Sequence, residues 1–223
     1  YLIERYSLRL LPSASVLKYL KGVRPQTAGT LLAFGNPDLG DPQLDLKYAQ
    51  AEALSVSKIL PNSKALVRKE ASETSFKRYG EGFRYLHIAS HGTFNADSPL
   101  SSALLLAKDS TNDGTLTVGE LYSMRLNADL VTLSACETGL GKIANGDDVV
   151  GLTRGFLYAG SRSIVASLWK VDDEATAYLM TRFYGALKGT SKREALRLAQ
   201  LETRKKYPHP YYWAAFQLTG EAS

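Results

Sequence analysis

Cysteine is nearly absent: Cys136 is the only one in 223 residues. A lone thiol forms no intramolecular disulfide and supplies no zinc site built on several thiolates, which excludes disulfide-stapled secreted scaffolds and zinc ribbons. What remains for that thiol is packing or chemistry. Long apolar runs are missing as well. None nears the ~18 residues that suggest a membrane span, and no signal peptide is visible. There is no repeat with a period of about 20 to 50 residues and no low-complexity tract. With 44% hydrophobic and 22% charged residues, the chain has the apolar content of a large globular core and reads as one domain over residues 1–223. Because it opens on Tyr1 rather than Met, it is expected to be a piece excised from a longer chain.

The formal charge is +5, and much of the basic excess lies near the C-terminus, where Lys192, Arg193, Arg197, Arg204, Lys205 and Lys206 face only Glu194 and Glu202. No motif that contacts bases or phosphates accompanies them. The stretch therefore reads as a solvated helix face, and nucleic acid is not an expected partner.

Strand-like alternation runs to Pro12, followed by a Ser13 cap and a short helix. The run TLLAFGNP, stopped by Gly35, Asn36 and Pro37, predicts a buried strand ending in a turn. A helix is expected over 47–60, a short run at 64–70, and a helix capped by Ser72. FRYLHIAS (83–90), ADLVTLSA (128–135) and SRSIVASLW (161–169) are apolar and β-branched enough to be buried on both faces, as parallel strands are. Helices are expected over 147–160, 172–189 and 191–207, with a last strand in YYWAAFQLTG. This alternation predicts an α/β fold, a mostly parallel sheet with helices on both faces.

In such a sheet, ligands bind beyond the carboxyl ends of the strands. One strand ends in Ser90-His91-Gly92 and another in Cys136-Glu137, so an imidazole and the only thiol stand at the same edge. The 45 residues between them suffice for a crossover that leaves the two strands neighbours. A histidine activates a thiol in cysteine hydrolases and then protonates the leaving amine. Gly92, without a Cβ, lets its N–H approach a developing oxyanion, and the Cys136 N–H is the natural second donor. The plain alternative is a buried cysteine and a hydrogen-bonded core histidine.

The segments HIASHG (87–92), LSACETG (133–139) and GDDVVGLTRGFLYAGSRSIVASLWKVDDEATAYLM (146–180) closely resemble the CHAT domain, a bacterial branch of the caspase-like cysteine peptidases that also includes separase, metacaspases and gingipains. The likeness runs from about Leu31 to Gly220. It implies a three-layer α/β/α sandwich around a mostly parallel sheet of about six strands, and a His91/Cys136 catalytic dyad. It also places Ser134 and the run from Trp169 to Asp173 beside the residue preceding the cut bond. There Asp172, walled by Trp169, would suit a Lys or Arg side chain. Asp172 or Asp173 would serve equally as the cap of the following helix, and Asp147 and Asp148 read as caps too. Glu137-Thr138-Gly139 departs from the Arg or Gln then Gly of true caspases, which argues against strict aspartate specificity.

Other signals lead nowhere. His87 and His91 lie four apart on a strand without a metalloprotease glutamate, so His87 reads as structural and no metal is expected. Asp109 to Glu120 nearly fits a calcium loop, but the preceding segment reads as a strand, making it a hairpin turn at Asn112-Asp113-Gly114. Neither a P-loop nor G-x-S-x-G is present. The expectation is a cytoplasmic cysteine endopeptidase without a cofactor, acting on protein or peptide. A helical repeat region or partner protein is expected to regulate it, and no membrane partner is expected. A catalytically silent interaction scaffold is the alternative.

Overall fold

Apolar runs punctuated by Gly, Pro and Asn become the strands, and the segments between them with helical spacing become the helices. The computed structural model describes residues 1–15, 18, 27–93, 95, 97–134, 136–137, 147–169 and 172–223. In chain order these hold β1 (Gly29–Pro37), α1 (Lys47–Val56), β2 (Lys64–Arg68), α2 (Glu73–Tyr79), β3 (Phe83–Ala89), β4 (His91–Thr93), β5 (Ala103–Leu105), β6 (Thr115–Thr117) and α3 (Val118–Leu121). There follow β7 (Leu130–Leu133), β8 (Cys136–Glu137), α4 (Asp147–Tyr158), β9 (Ser163–Ser167), α5 (Asp173–Ala186), α6 (Lys192–Lys206) and β10 (Phe216–Gly220).

The main sheet has six strands in the order β10-β9-β7-β3-β1-β2. All neighbours are parallel except β10 with β9. Because successive strand residues point to opposite faces, each strand feeds two cores. Leu31, Ala33, Tyr85 and Val165 pack with α1, α5 and α6 through Ala53, Leu179, Phe183 and Leu196. Leu32, Phe34, Ile88 and Leu133 pack on the other face with Phe76 of α2, Leu121 of α3 and Phe156 of α4. Phe76 sits in that second core with its ring centroid 5.5 Å from that of Phe34 and 6.3 Å from that of Phe156. The three-layer α/β/α sandwich around six mostly parallel strands is thus as expected, and the fully buried β7 and β9 match the reading of two-sided strands.

Chain order sets the position of the site. From β1 the chain goes outward to β2 and then returns to the other side of β1 as β3, so the winding reverses between β1 and β3. Such a switch point opens a crevice at the carboxyl ends of the two strands.

Three segments differ from expectation, each for a local reason. The N-terminal alternation yields only one bridge, Leu10 to Thr219 on the outer edge of β10. The next outward acceptor on that edge, the Phe216 carbonyl, is already taken by the Gln200 amide at 2.9 Å. Leu2–Glu4 instead form a 3-10 turn, with the Ile3 and Glu4 carbonyls accepting from Arg197 at 2.7 and 2.9 Å. The helix expected after Ser13 falls largely outside the described residues. The last strand starts only at Phe216, because Pro210 opens a 3-10 turn, Pro210–Tyr212, capped by His209. The basic stretch is not simply a solvated face: Lys192 is buried and donates to the Asp129 carbonyl at 3.2 Å and to Glu221 at 3.0 Å.

The hairpin between β5 and β6 turns through 106–114, with Gly114 at φ 91°, as read from Asn112-Asp113-Gly114. No helix among the described residues is long and apolar enough to cross a membrane.

Candidate active site

Strands β3 and β7 run parallel with Tyr85 opposite Leu130 and Ile88 opposite Leu133. Past their ends, both chains leave the main sheet and pair again in a second, four-stranded sheet ordered β6-β5-β4-β8. There His91 is the register partner of Cys136, and Gly92 of Glu137. Register partners on adjacent parallel strands share a face, with backbones about 4.8 Å apart. The backbones of the two residues of the predicted dyad are thereby neighbours. Gly92 lies in the middle of the small sheet, opposite Leu104 on its other side.

His91 is buried, with 7% of its surface exposed. Its Nε2 lies 2.7 Å from the Leu44 carbonyl oxygen. A carbonyl only accepts, so Nε2 carries a proton, and in the neutral imidazole Nδ1 holds the lone pair. Nδ1 is buried and has no hydrogen-bond partner among the described residues. An orphaned acceptor of this kind costs about 1–3 kcal/mol, and such groups in native proteins are explained by a bound water or ion or by a catalytic role.

Leu44 is the residue that sequence reasoning missed. It acts through its main chain, so no side-chain pattern marks it. The turn chemistry nearby is the only signal: Asp41 precedes Pro42 and accepts from the Gln43 N–H at 2.9 Å, closing the 3-10 turn that carries Leu44.

Ser134, just past the end of β7, is buried with an Oγ that has no partner among the described residues, while its N–H donates to the Ile88 carbonyl at 2.9 Å. Trp169 follows β9, is 40% exposed, and donates from its indole to the Tyr211 carbonyl at 3.1 Å. Asp172 caps α5, its Oδ1 accepting from the Ala175 N–H at 3.0 Å. The capping role foreseen for Asp172 is therefore occupied by one oxygen, which leaves its charge in place. The caps expected from the Asp147 and Asp148 side chains lie outside what is described.

His87 sits apart from the dyad in the opposite core, completely buried, with Nε2 2.8 Å from Glu52 Oε1 and Nδ1 3.3 Å from the Tyr184 hydroxyl. That hydroxyl donates to Thr132 at 2.9 Å, and burial pushes the phenol far above its usual value. The cluster links β3, β7, α1 and α5, in keeping with a structural role. Among the described residues no group of three or more His, Cys, Asp or Glu is placed to hold a metal ion.

Comparison with known proteins agrees with this architecture. The family model of the CHAT domain matches residues 1–221. Tetratricopeptide repeat protein 28 of Mus musculus is 25% identical over 272 residues, and that of Homo sapiens 26%. Each match covers 99% of this chain, which spans only 11% of the relatives' length. Among solved structures, the Saccharomyces cerevisiae separase-securin complex superposes with a TM-score of 0.65 at 14% identity, covering 97% of this chain and 14% of that one. The Arg-specific cysteine proteinase gingipain R gives 0.57 at 11% identity, covering 89% and 47%. At such identities the structural likeness establishes the fold.

Proposed function

Since the chain belongs to the CHAT domain family, with a caspase-like fold, we propose that it is a cysteine endopeptidase working through His91 and Cys136. One observation carries the reading: His91 is the register partner of Cys136, and its buried Nδ1 has no partner among the described residues while Nε2 lies against the Leu44 carbonyl. An imidazole in this tautomer is set up to take a thiol proton.

In the proposed cycle Nδ1 accepts the Cys136 proton and the thiolate attacks the scissile carbonyl carbon. The Gly92 and Cys136 N–H groups stabilise the oxyanion. As the C–N bond breaks, His91 returns its proton to the leaving amine. Water, deprotonated by His91, then releases the acid and regenerates the thiol. Ser134, Trp169 and Asp172 line the pocket for the residue before the cut, and the Asp172 charge favours Lys or Arg there. The chemistry uses no cofactor. The repeat proteins among the relatives support a further element of the proposal, a helical repeat region or partner protein that restrains the site in the cytoplasm.

A peptide library presented to the domain and to its Cys136→Ala variant tests the assignment. Cleavage by the first alone is expected, and equal cleavage by both would refute it. Burial of His91 favours a second reading, a silent interaction scaffold with a closed pocket. Iodoacetamide separates the two: the enzyme's thiol reacts quickly below the free-thiol pKa of about 8.5, and the scaffold's does not.

A further inference from the structure

Two of the three non-glycine residues with positive φ among the described residues flank one loop. Asn36, at φ 47°, stands at the carboxyl end of β1, and Arg68, at φ 54°, ends β2. The β1/β2 register slips at Asn36, so that Gly35 pairs with Val67 and Pro37 with Arg68. Bulges and left-handed non-glycine residues are costly locally and gather where a side chain must be aimed.

Both side chains reach the loop 38–46 that carries Leu44. Asn36 is buried and its Oδ1 accepts from the Leu46 N–H at 2.8 Å, two residues beyond the carbonyl that holds His91. Arg68 pairs through Nη1 with Asp45, the neighbour of Leu44, and lies 3.7 Å through Nη2 from Asp38 at the loop's start. Asp38 in turn accepts from the Gly40 N–H at 3.1 Å. The loop is thus held at Asp38, Asp45 and Leu46, with the functional carbonyl between the anchors.

We infer that Asn36 and Arg68 are positioning residues for the dyad, clamping the 38–46 loop so that the Leu44 carbonyl keeps the His91 proton on Nε2. The inference rests on the cysteine-peptidase reading for its purpose, while its geometry is independent of cleavage. An untethered carbonyl would let the imidazole rotate or exchange tautomers. Nδ1 would then lose the lone pair that receives the thiol proton.

The test uses Arg68→Gln, Arg68→Lys and Asn36→Gly, the last because glycine accepts φ 47° without strain and removes only the side-chain bond. The His91 tautomer is read by imidazole nitrogen NMR, and the Cys136 thiol by iodoacetamide alkylation between pH 6 and 9. Arg68→Gln and Asn36→Gly are expected to mix the tautomers and slow alkylation at pH 7 by about tenfold, the low end for partners that orient a functional imidazole. Arg68→Lys, which keeps a cation for Asp45, recovers most of the rate. An unchanged tautomer and unchanged alkylation in both folded variants would overturn the inference. Mixed tautomers together with equal library cleavage by Cys136→Ala would leave the clamp standing and remove the peptidase reading.

Discussion

Ser134→Ala is expected to stabilise the fold while weakening function. Ser134 is 7% exposed and its hydroxyl has no hydrogen-bond partner among the described residues. A buried hydroxyl without a partner costs about 1–3 kcal/mol in lost hydration. Alanine removes that cost. Against it stands the packing of a single oxygen, a handful of contacts at about 0.1–0.2 kcal/mol each. The balance favours alanine by about 1 kcal/mol, or about 2–4 °C in Tm for a chain of this size. Urea and thermal unfolding measure the first effect. If the hydroxyl is kept because substrate pairs with it, KM should rise in the same variant with kcat less affected. A loss of more than about 1 kcal/mol on substitution would show that the hydroxyl is satisfied within the fold, and the argument from an orphaned group would fail.

Asp172→Asn separates the two roles of that residue, because asparagine caps a helix as well as aspartate does. Stability should hold while cutting after Lys or Arg falls selectively, and an unchanged preference would take Asp172 out of the pocket. Partial burial works to raise the Glu120 carboxyl, but hydrogen bonds from the Thr117 N–H, the Lys77 ammonium and the Thr117 hydroxyl prevail and hold it at about 2. Its contribution to stability is therefore complete above the unfolded value near 4.5 and is lost as pH falls toward about 2. Glu120→Gln should flatten the acid limb of a stability-against-pH curve, and an unaltered slope would contradict the assignment. Gly160 has φ 109°, and a Cβ there would lie 2.4 Å from the Leu126 carbonyl oxygen, whose own N–H is tied to Ala159. Gly160→Ala should cost at least about 2 kcal/mol by urea unfolding, and a neutral result would mean that the α4 to β9 turn relaxes freely.

The strands β3, β7 and β9 were legible because burial on both faces leaves an unbroken apolar run that needs no partner to be recognised. Their carboxyl ends then pointed to His91 and Cys136 through a rule of topology. The small sheet was not legible: β8 has two residues and β4 three, too few for any periodicity to register. The burial of Lys192 depends on the Asp129 carbonyl and on Glu221, both remote in sequence, and nothing in the local charge run reports them. Leu44 contributes a carbonyl that any residue would carry. Arg68 in the left-handed region has no turn signature, since arginine is chosen there for its reach to Asp38 and Asp45 and tolerates the backbone at a cost.

The 45-residue interval between His91 and Cys136 has a meaning beyond loop length. Tyr85 to Leu130, Ile88 to Leu133 and His91 to Cys136 are all register pairs with that same interval. The offset set in the main sheet therefore passes unchanged through Ser90 and into the small sheet. That offset is fixed where it is most costly to alter, because a one-residue slip would turn Leu86, Ile88, Val131 and Leu133 out of their core. The His91/Cys136 backbone pair thus inherits its alignment from the buried β3/β7 pair. The crossover between His91 and Cys136 is held separately, by the pairing of β5 with β4 and by Leu104, Leu116 and Leu121 in the core.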